Sequence, residues 1–327
     1  MNDNLNRFLL FLTLVSLLLS PRSLLADDQH QPTILVLNSY HRGYFWSDNQ
    51  MQAVQEAFAN RYDVIIEHLD TKRLPLELIQ DDLVRLFQTK YSQKKIDLII
   101  AFDEGAYDFL DQHYNRLFPG TPVVVTGVDH LNLSLQKEKP YLTGFIDRMD
   151  PHPTIELILR LHPKTTRIYV IQDNTPTGMS QRRSVEEAGP SFPLITFSFI
   201  DGRQMSMRDL LNEVAILPPD SVILLTMWMR DGENNYYDPN QTAELISQTA
   251  SVPMYGLSDL WLDHGIVGGK LNSGYTQGME AASIARRILA GESPQAIPIR
   301  RASPSQFMFD DRQLSRWRIQ HTALPEN

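Results

Sequence analysis

Eight short apolar runs rich in β-branched residues punctuate the chain in two blocks of four, and this pattern constrains the fold more than any other feature. "TILVLN" (33–38), "DVIIEHL" (63–69), "DLIIAFD" (97–103) and "PVVVTGV" (122–128) form the first block. "RIYVIQD" (167–173), "LITFSFID" (194–201), "SVILLTM" (221–227) and "VPMYGL" (252–257) form the second, at similar intervals. Continuous rather than alternating hydrophobicity marks strands covered on both faces, the habit of parallel sheets flanked by helices.

Helix signals fill the intervals. Ser47 with Gln50 reads as a capping box, and Met51, Val54 and Phe58 follow on one face. Pro75 suits a first helical turn, with Ile79, Leu83, Leu86 and Phe87 continuing an apolar stripe. Thr175 before Pro176, Ser206 followed by Asp209, and Asp238 before Pro239 mark further starts.

The pattern predicts an α/β fold of two doubly wound parallel-sheet lobes. An eight-unit barrel also satisfies the count. Against the barrel stand extra β-like pieces such as "YLTGFID" (141–147) and "GIVGGKL" (265–271), and the loss of βα rhythm after residue 265. Three chain crossings between lobes would place every such piece and form a hinge. The expected division is residues 27–147 plus 272–300 for lobe 1 and 148–271 plus 301–327 for lobe 2, with Asp147, Gly268 and Gly269 at the hinge. Paired glycines there suit close backbone approach or hinge freedom.

The amino terminus, "MNDNLNRFLLFLTLVSLLLSPRSLLA", has a short polar leader with Arg7, an apolar core and a break at Pro21. That is the layout of a secretory signal peptide over residues 1–26; left uncleaved, it would anchor the chain. No later apolar stretch approaches the roughly 20 residues a span requires, so the mature chain is expected to be soluble and periplasmic. With no cysteine anywhere, disulfides, thiolate metal sites and cysteine nucleophiles are excluded. The formal charge of −9, with no basic tract, argues against nucleic acid as a partner.

Enzyme signatures are missing: no glycine-rich dinucleotide fingerprint follows the first run, and there is no P-loop or paired-histidine zinc helix. Nine scattered histidines give no ligand spacing, and Met227 and Met229 read as packing residues, so neither cofactor nor metal is expected. A secreted hydrolase remains an alternative outside the binding proteins.

In open α/β sheets ligands bind beyond the carboxyl ends of the strands. After the first run come Ser39, Tyr40, His41, Tyr44 and Trp46; after the second, Asp70 and Arg73; after the third, Asp103 and Glu104. In the second block the same positions hold Asp173, Asn174, Thr175 and Thr177, then Trp228 and Arg230, then Tyr255 and Asp259. Aromatic faces for stacking, with a few polar groups to orient a solute, make the mixture of a specific small-molecule pocket. Each also has a structural alternative: Tyr44 and Trp46 as a staple for the first helix, Asp70 with Arg73 as an ion pair, residues 173–178 as a helix cap, Trp228 as packing.

The ordered series "VLNSYHRGYFWSD", "LDTKRLP", "DLIIAFDEGAYDFL", "RLFPGTPVVVTGV", "TGFIDRMDP", "LPPDSVILL", "VPMYGLSDLWLDHGIVGG" and "FMFDDRQLSRW" resembles the ABC-transporter-type substrate-binding protein family over residues 33–320. The resemblance implies a type I periplasmic binding protein fold: a hinged receptor for a small molecule, without chemistry. Stand-alone members tend to take aromatic amino acids, while "NSYHRGYFWSD" and "DTKRLP" look closer to a branch that serves as the extracytoplasmic sensor of histidine kinases and diguanylate cyclases. Having no kinase or cyclase segment of its own, the chain is expected to work with a separate membrane partner, either a transporter permease or a sensor protein.

Overall fold

The structure is a computed structural model that describes residues 31–59, 61–128, 135–146, 148–301 and 303–325. The proposed signal peptide and the hinge residue Asp147 lie outside the described residues.

The first block alternates β1 (Thr33–Asn38), α1 (Phe45–Phe58), β2 (Asp63–His68), α2 (Leu76–Tyr91), β3 (Leu98–Phe102), α3 (Asp103–Leu117), β4 (Val123–Val128) and β5 (Leu142–Ile146). Its five strands are parallel, in the order β2-β1-β3-β4-β5. The second block runs α4 (His152–Leu161), β6 (Arg167–Gln172), α5 (Pro176–Ala188), β7 (Thr196–Asp201), α6 (Met207–Val214), β8 (Ser221–Leu225), α7 (Pro239–Thr249) and β9 (Met254–Gly256). Its strands are parallel in the order β7-β6-β8-β9. Two separate sheets, not one closed ring, dispose of the barrel. The chain ends with β10 (Gly268–Asn272), α8 (Gly274–Leu289), β11 (Ser305–Phe309) and α9 (Asp311–Arg316).

The two-sided burial of each sheet explains the continuous apolar runs. Leu35, Leu37, Ile99 and Ala101 face Val84, Phe87, Phe109 and Leu110 of α2 and α3. Their alternates Ile34, Val36, Leu98 and Ile100 face Met51, Val54 and Phe58 of α1, together with Ala281, Ala282 and Ala285 of α8. In the second lobe Tyr169, Ile171, Ile223 and Leu225 pack toward α6 and α7, while Ile168, Val170, Val222 and Leu224 pack toward α4, α5 and Leu314 of α9. With both faces dry, the central positions of the inner strands are apolar on both sides.

Two sequence readings are corrected. Leu86 is 48% exposed, because the buried stripe of α2 runs through Phe87 and leaves its neighbour about 100° away in solvent. Ser47 and Gln50 are not a capping box: α1 begins at Phe45 behind Tyr44, and both polar side chains are fully buried inside the helix. The boxes at Ser206 and the caps at Thr175 and Asp238 form as read.

Three connections join the lobes. After β5 the chain enters α4; after β10 it returns to the first lobe as α8, which packs along α1; and after an Arg300 segment bonded beside β5 it re-enters the second lobe as β11. β10 pairs antiparallel with β11 and is linked to the end of β9 through the Ser258–Asn272 bridge. Gly268 and Gly269 adopt φ of +142° and +156°, and a Cβ would stand 2.1 Å from the Met308 carbonyl oxygen and 2.4 Å from that of Gly256, respectively. Close backbone approach is thus the demand that glycine meets here.

Candidate functional site

The carboxyl ends of β1, β3 and β4 and the first turns of α1 and α8 converge on a buried polar network. Asn38, the last residue of β1, donates from Nδ2 to Gln50 Oε1 at 3.3 Å, and its Oδ1 accepts from the Ser47 hydroxyl at 2.9 Å. Gln50 Nε2 lies 3.2 Å from Asp103 Oδ2 and 3.3 Å from Gln277 Oε1, which Thr126 also reaches at 3.4 Å. Burying this much polarity is tolerable only because the members satisfy one another. These are the residues that a capping-box reading of Ser47 and Gln50 conceals.

Asp103 is the pivot. It opens α3 in the left-handed region at φ +67°, is 4% exposed, and takes a second donor, the Trp46 indole N–H, at 3.3 Å on Oδ1. Gly127 leaves the room it needs, since a Cβ there would stand 2.5 Å from Oδ1. A residue held so far from ordinary helical geometry by converging bonds is a mark of functional sites. Ser39 straps the same corner: its hydroxyl donates to the Phe102 carbonyl at 2.6 Å and accepts from the Ala106 amide at 2.7 Å.

Above this floor stands an aromatic wall. The rings of Tyr40 and Tyr44 meet edge to face at 5.4 Å, and His41 lies 6.0 Å from Tyr44. Lys72 lies over both tyrosines, its Nζ 4.4 Å from the Tyr40 centroid and 4.9 Å from that of Tyr44. His41 Nδ1 is 3.6 Å from Asp70 Oδ1, and Asp70 holds Arg73 through a paired contact with Nε and Nη2. Burial pushes the Tyr44 phenol up to about 12, with Asp103 and then Tyr236 adding to the shift. Tyr236 belongs to the loop after β8, 60% exposed, so the second lobe brings an aromatic side chain within electrostatic reach of the first.

The second lobe supplies fewer of its expected residues. Asp173 is fully buried, and its carboxylate accepts from the amide and hydroxyl of Thr175 and from the amides of Met229 and Arg230. It pins the loop after β6 to the loop after β8, which corrects the ligand contact expected of it. Thr175 is occupied as the cap of α5, while Asn174 and Thr177 are exposed beside it. Arg230 is exposed and donates to Asn234 at 3.1 Å.

Trp228 and Tyr255 are corrected as well, since both are core residues. Trp228 packs among the α6 and α7 side chains; Tyr255 points into the opposite core, where its hydroxyl meets His162 Nε2 at 2.8 Å. The large apolar area of each ring is better hidden than exposed. Asp259, beside the crossing into α8, is raised to about 6 by burial, against a hydrogen bond from Ser273. Glu104 sits half-buried in the first turn of α3.

Several polar residues that the structure singles out carry no local signal in the sequence. Gln277 and Thr126 look like ordinary helix and strand residues, and Tyr236 lies in a polar loop. Gln172, at the carboxyl end of β6, and Gln181 on α5 are buried with both amide ends unpartnered among the described residues. Among the described residues no group of three or more His, Cys, Asp or Glu is placed to hold a metal, and no helix is long and apolar enough to cross a membrane.

No curated protein matches the chain. Among solved structures, a ligand-free, open substrate-binding protein with adhesive properties from Clostridium difficile superposes with TM-score 0.65 at 13% identity, covering 90% of this chain and 97% of that one. An ABC domain in complex with L-Trp from Streptococcus pneumonia gives TM-score 0.60 at 14% identity, with 90% and 97% coverage. The periplasmic binding protein of an arabinose ABC transporter from Shewanella gives 0.55 at 12%, with 88% and 96% coverage. These likenesses establish the two-lobed type I periplasmic binding protein fold. The sequence model for ABC transporter substrate binding proteins matches residues 53–323, most of the chain, and the protein belongs to that family.

Proposed function

We propose that this protein is exported to the periplasm, holds a small molecule between its lobes, and delivers it to the permease of an ABC transporter. The observation that carries the reading is the aromatic wall of Tyr40, His41 and Tyr44 beside a buried polar floor that holds Trp46 through Asp103, with Tyr236 of the other lobe within electrostatic reach of Tyr44. Such a cleft closes when the ligand binds the closed arrangement better than the open one. On this reading lobe 1 is residues 27–147 plus 272–300 and lobe 2 residues 148–271 plus 301–327, and Gly268 and Gly269, at the start of β10, belong to the second crossing. Neither Asp103 nor Asp173 is arranged as a general acid or base, since each carboxylate is taken up by protein donors.

Thermal unfolding of residues 27–327 against amino acids, nucleobases, sugars, carboxylates and oligopeptides tests the reading. A ligand at a hundred times its dissociation constant stabilises the native state by about 2.7 kcal/mol, a shift in midpoint that is easily seen. One solute recovered unchanged after binding supports capture, and consumption of the solute makes the protein an enzyme. Binding of the loaded protein to a histidine kinase or diguanylate cyclase, and not to a permease, turns delivery into sensing.

A further inference from the structure

The loop after β2 is built to present one side chain. Asp70 takes the left-handed conformation at φ +60°, the Thr71 amide and hydroxyl both reach the Ser39 carbonyl at 2.8 Å, and the Arg73 amide returns to the Asp70 carbonyl at 3.1 Å. The turn so fixed aims Lys72 across the faces of Tyr40 and Tyr44. Two aromatic faces hold an ammonium in place while giving it no hydrogen-bond acceptor comparable to a carboxylate.

Lys72 differs from the other lysines of its lobe that reach carboxylates: Lys90 pairs with Glu67, Lys94 with Asp63, Lys95 with Asp97 and Lys139 with Asp111. Among the described residues Lys72 makes no hydrogen bond or ion pair. The two nearby carboxylates are engaged elsewhere, Asp70 by Arg73 and Asp103 by Trp46 and Gln50. Lys72 is exposed to solvent, yet burial by the surrounding protein lowers its pKa, against the opposing pull of Asp103. Water access with protein on most sides is the condition of a group lining a cleft. A partly desolvated cation whose nearby carboxylates are already bonded to other donors gains from an incoming anion, which favours its charged form and accepts its donors.

We propose that Lys72 is the anion-recognising residue of the cleft, and that the solute carries a carboxylate or comparable anionic head that meets its ammonium above Tyr40 and Tyr44. This rests on the solute-binding reading and narrows it to organic acids, including zwitterions that present a carboxylate. An organic cation competes with Lys72 for the same two rings and is disfavoured.

The probes are benzoate, phenylacetate and succinate, each with its carboxamide, and phenethylamine, titrated into residues 27–327 by calorimetry and thermal shift. At least one acid is expected to bind ten-fold or more tightly than its amide, and phenethylamine more weakly than either. Lys72→Met removes the acid preference, Lys72→Arg retains part of it, and the melting temperature without ligand stays unchanged in both. Amides equal to acids, phenethylamine binding best, an acid preference that survives Lys72→Met, or no response to any of the three acids each overturns the assignment. A neutral or cationic hit from the wider solute library, with the acids silent, sinks the anion site and leaves the solute-binding reading intact; silence of the entire library counts against the solute-binding reading itself.

Discussion

Gln50 of α1 and Gln277 of α8 are hydrogen-bonded at 3.3 Å, although 227 residues of chain, including the whole second lobe, separate them. The bond joins the floor of the cleft to the segment that has just crossed back from lobe 2, since Asn272 and Ser273 lie only a few residues before Gln277. The bond thereby ties the first turn of α8 to the network that holds Asp103 and, through it, Trp46.

Replacing Gln277 by Leu, close in volume but unable to hydrogen-bond, leaves Gln50 and Thr126 each short of a buried partner. The expected cost is about 1–3 kcal/mol, the penalty of an unsatisfied buried polar group. Urea unfolding followed by far-ultraviolet circular dichroism reads it as a lower midpoint with an unchanged slope. An unchanged midpoint would mean that the network does not need its long-range member.

Trp46 separates a packing role from a binding role in two steps. Trp46→Phe keeps a ring on the wall and gives up the N–H to Asp103; Trp46→Ala gives up both. If the wall contacts solute, affinity for the ligand found by thermal screening drops ten-fold or more in Trp46→Ala, in keeping with the weight of aromatic anchors, and less in Trp46→Phe. Calorimetric affinities that match the unsubstituted protein would return Trp46 to a staple for α1.

What the sequence shows and what it hides divide along a physical line. The strands were legible because parallel sheets sandwiched by helices require unbroken apolar runs, and Ile34 to Leu37 or Ile168 to Ile171 satisfy that requirement locally. Strand ends place Tyr40, Tyr44, Trp46 and Asp103 at the same edge of the first sheet, because position at a carboxyl end follows from the strand alone. The direction of a side chain does not. Tyr255 and Trp228 stand at strand ends yet turn into the core, and Asp173 is consumed by amides from a loop 56 residues away. Gln277 was invisible because its partners come from other elements, and nothing in the sequence sets Lys72 apart, because the two tyrosines that single it out come from a different loop.

Gly269 tests the second crossing. A Cβ there would approach the Gly256 carbonyl oxygen to 2.4 Å, with the Leu271 and Thr154 side chains each 3.1 Å away. Gly269→Ala is expected to destabilise by about 1–3 kcal/mol, the range for backbone strain at a fixed position. Thermal melting measures it, and a loss under about 0.5 kcal/mol, the scatter of ordinary surface substitutions, would show that β10 can shift away from β9.

Asp259 gives the crossing a pH dependence of known sign. Burial raises its carboxyl to about 6, so the folded chain retains a proton that the unfolded chain releases near the ordinary carboxylate value of 3.8. Wherever the folded state binds more protons, stability falls as pH rises. The contribution of Asp259 is thus full below about pH 4, declines through pH 6 and is lost above it. Asp259→Asn keeps the shape, removes the ionisation and is expected to match the unsubstituted protein at pH 4 while exceeding its stability at pH 7. The difference between the two stability profiles, not either alone, is the measurement, because every other titrating group cancels in it. A variant less stable at pH 7 than the unsubstituted protein would mean that the ionised carboxylate is held by its hydrogen bond with Ser273, and that the second crossing depends on that charge.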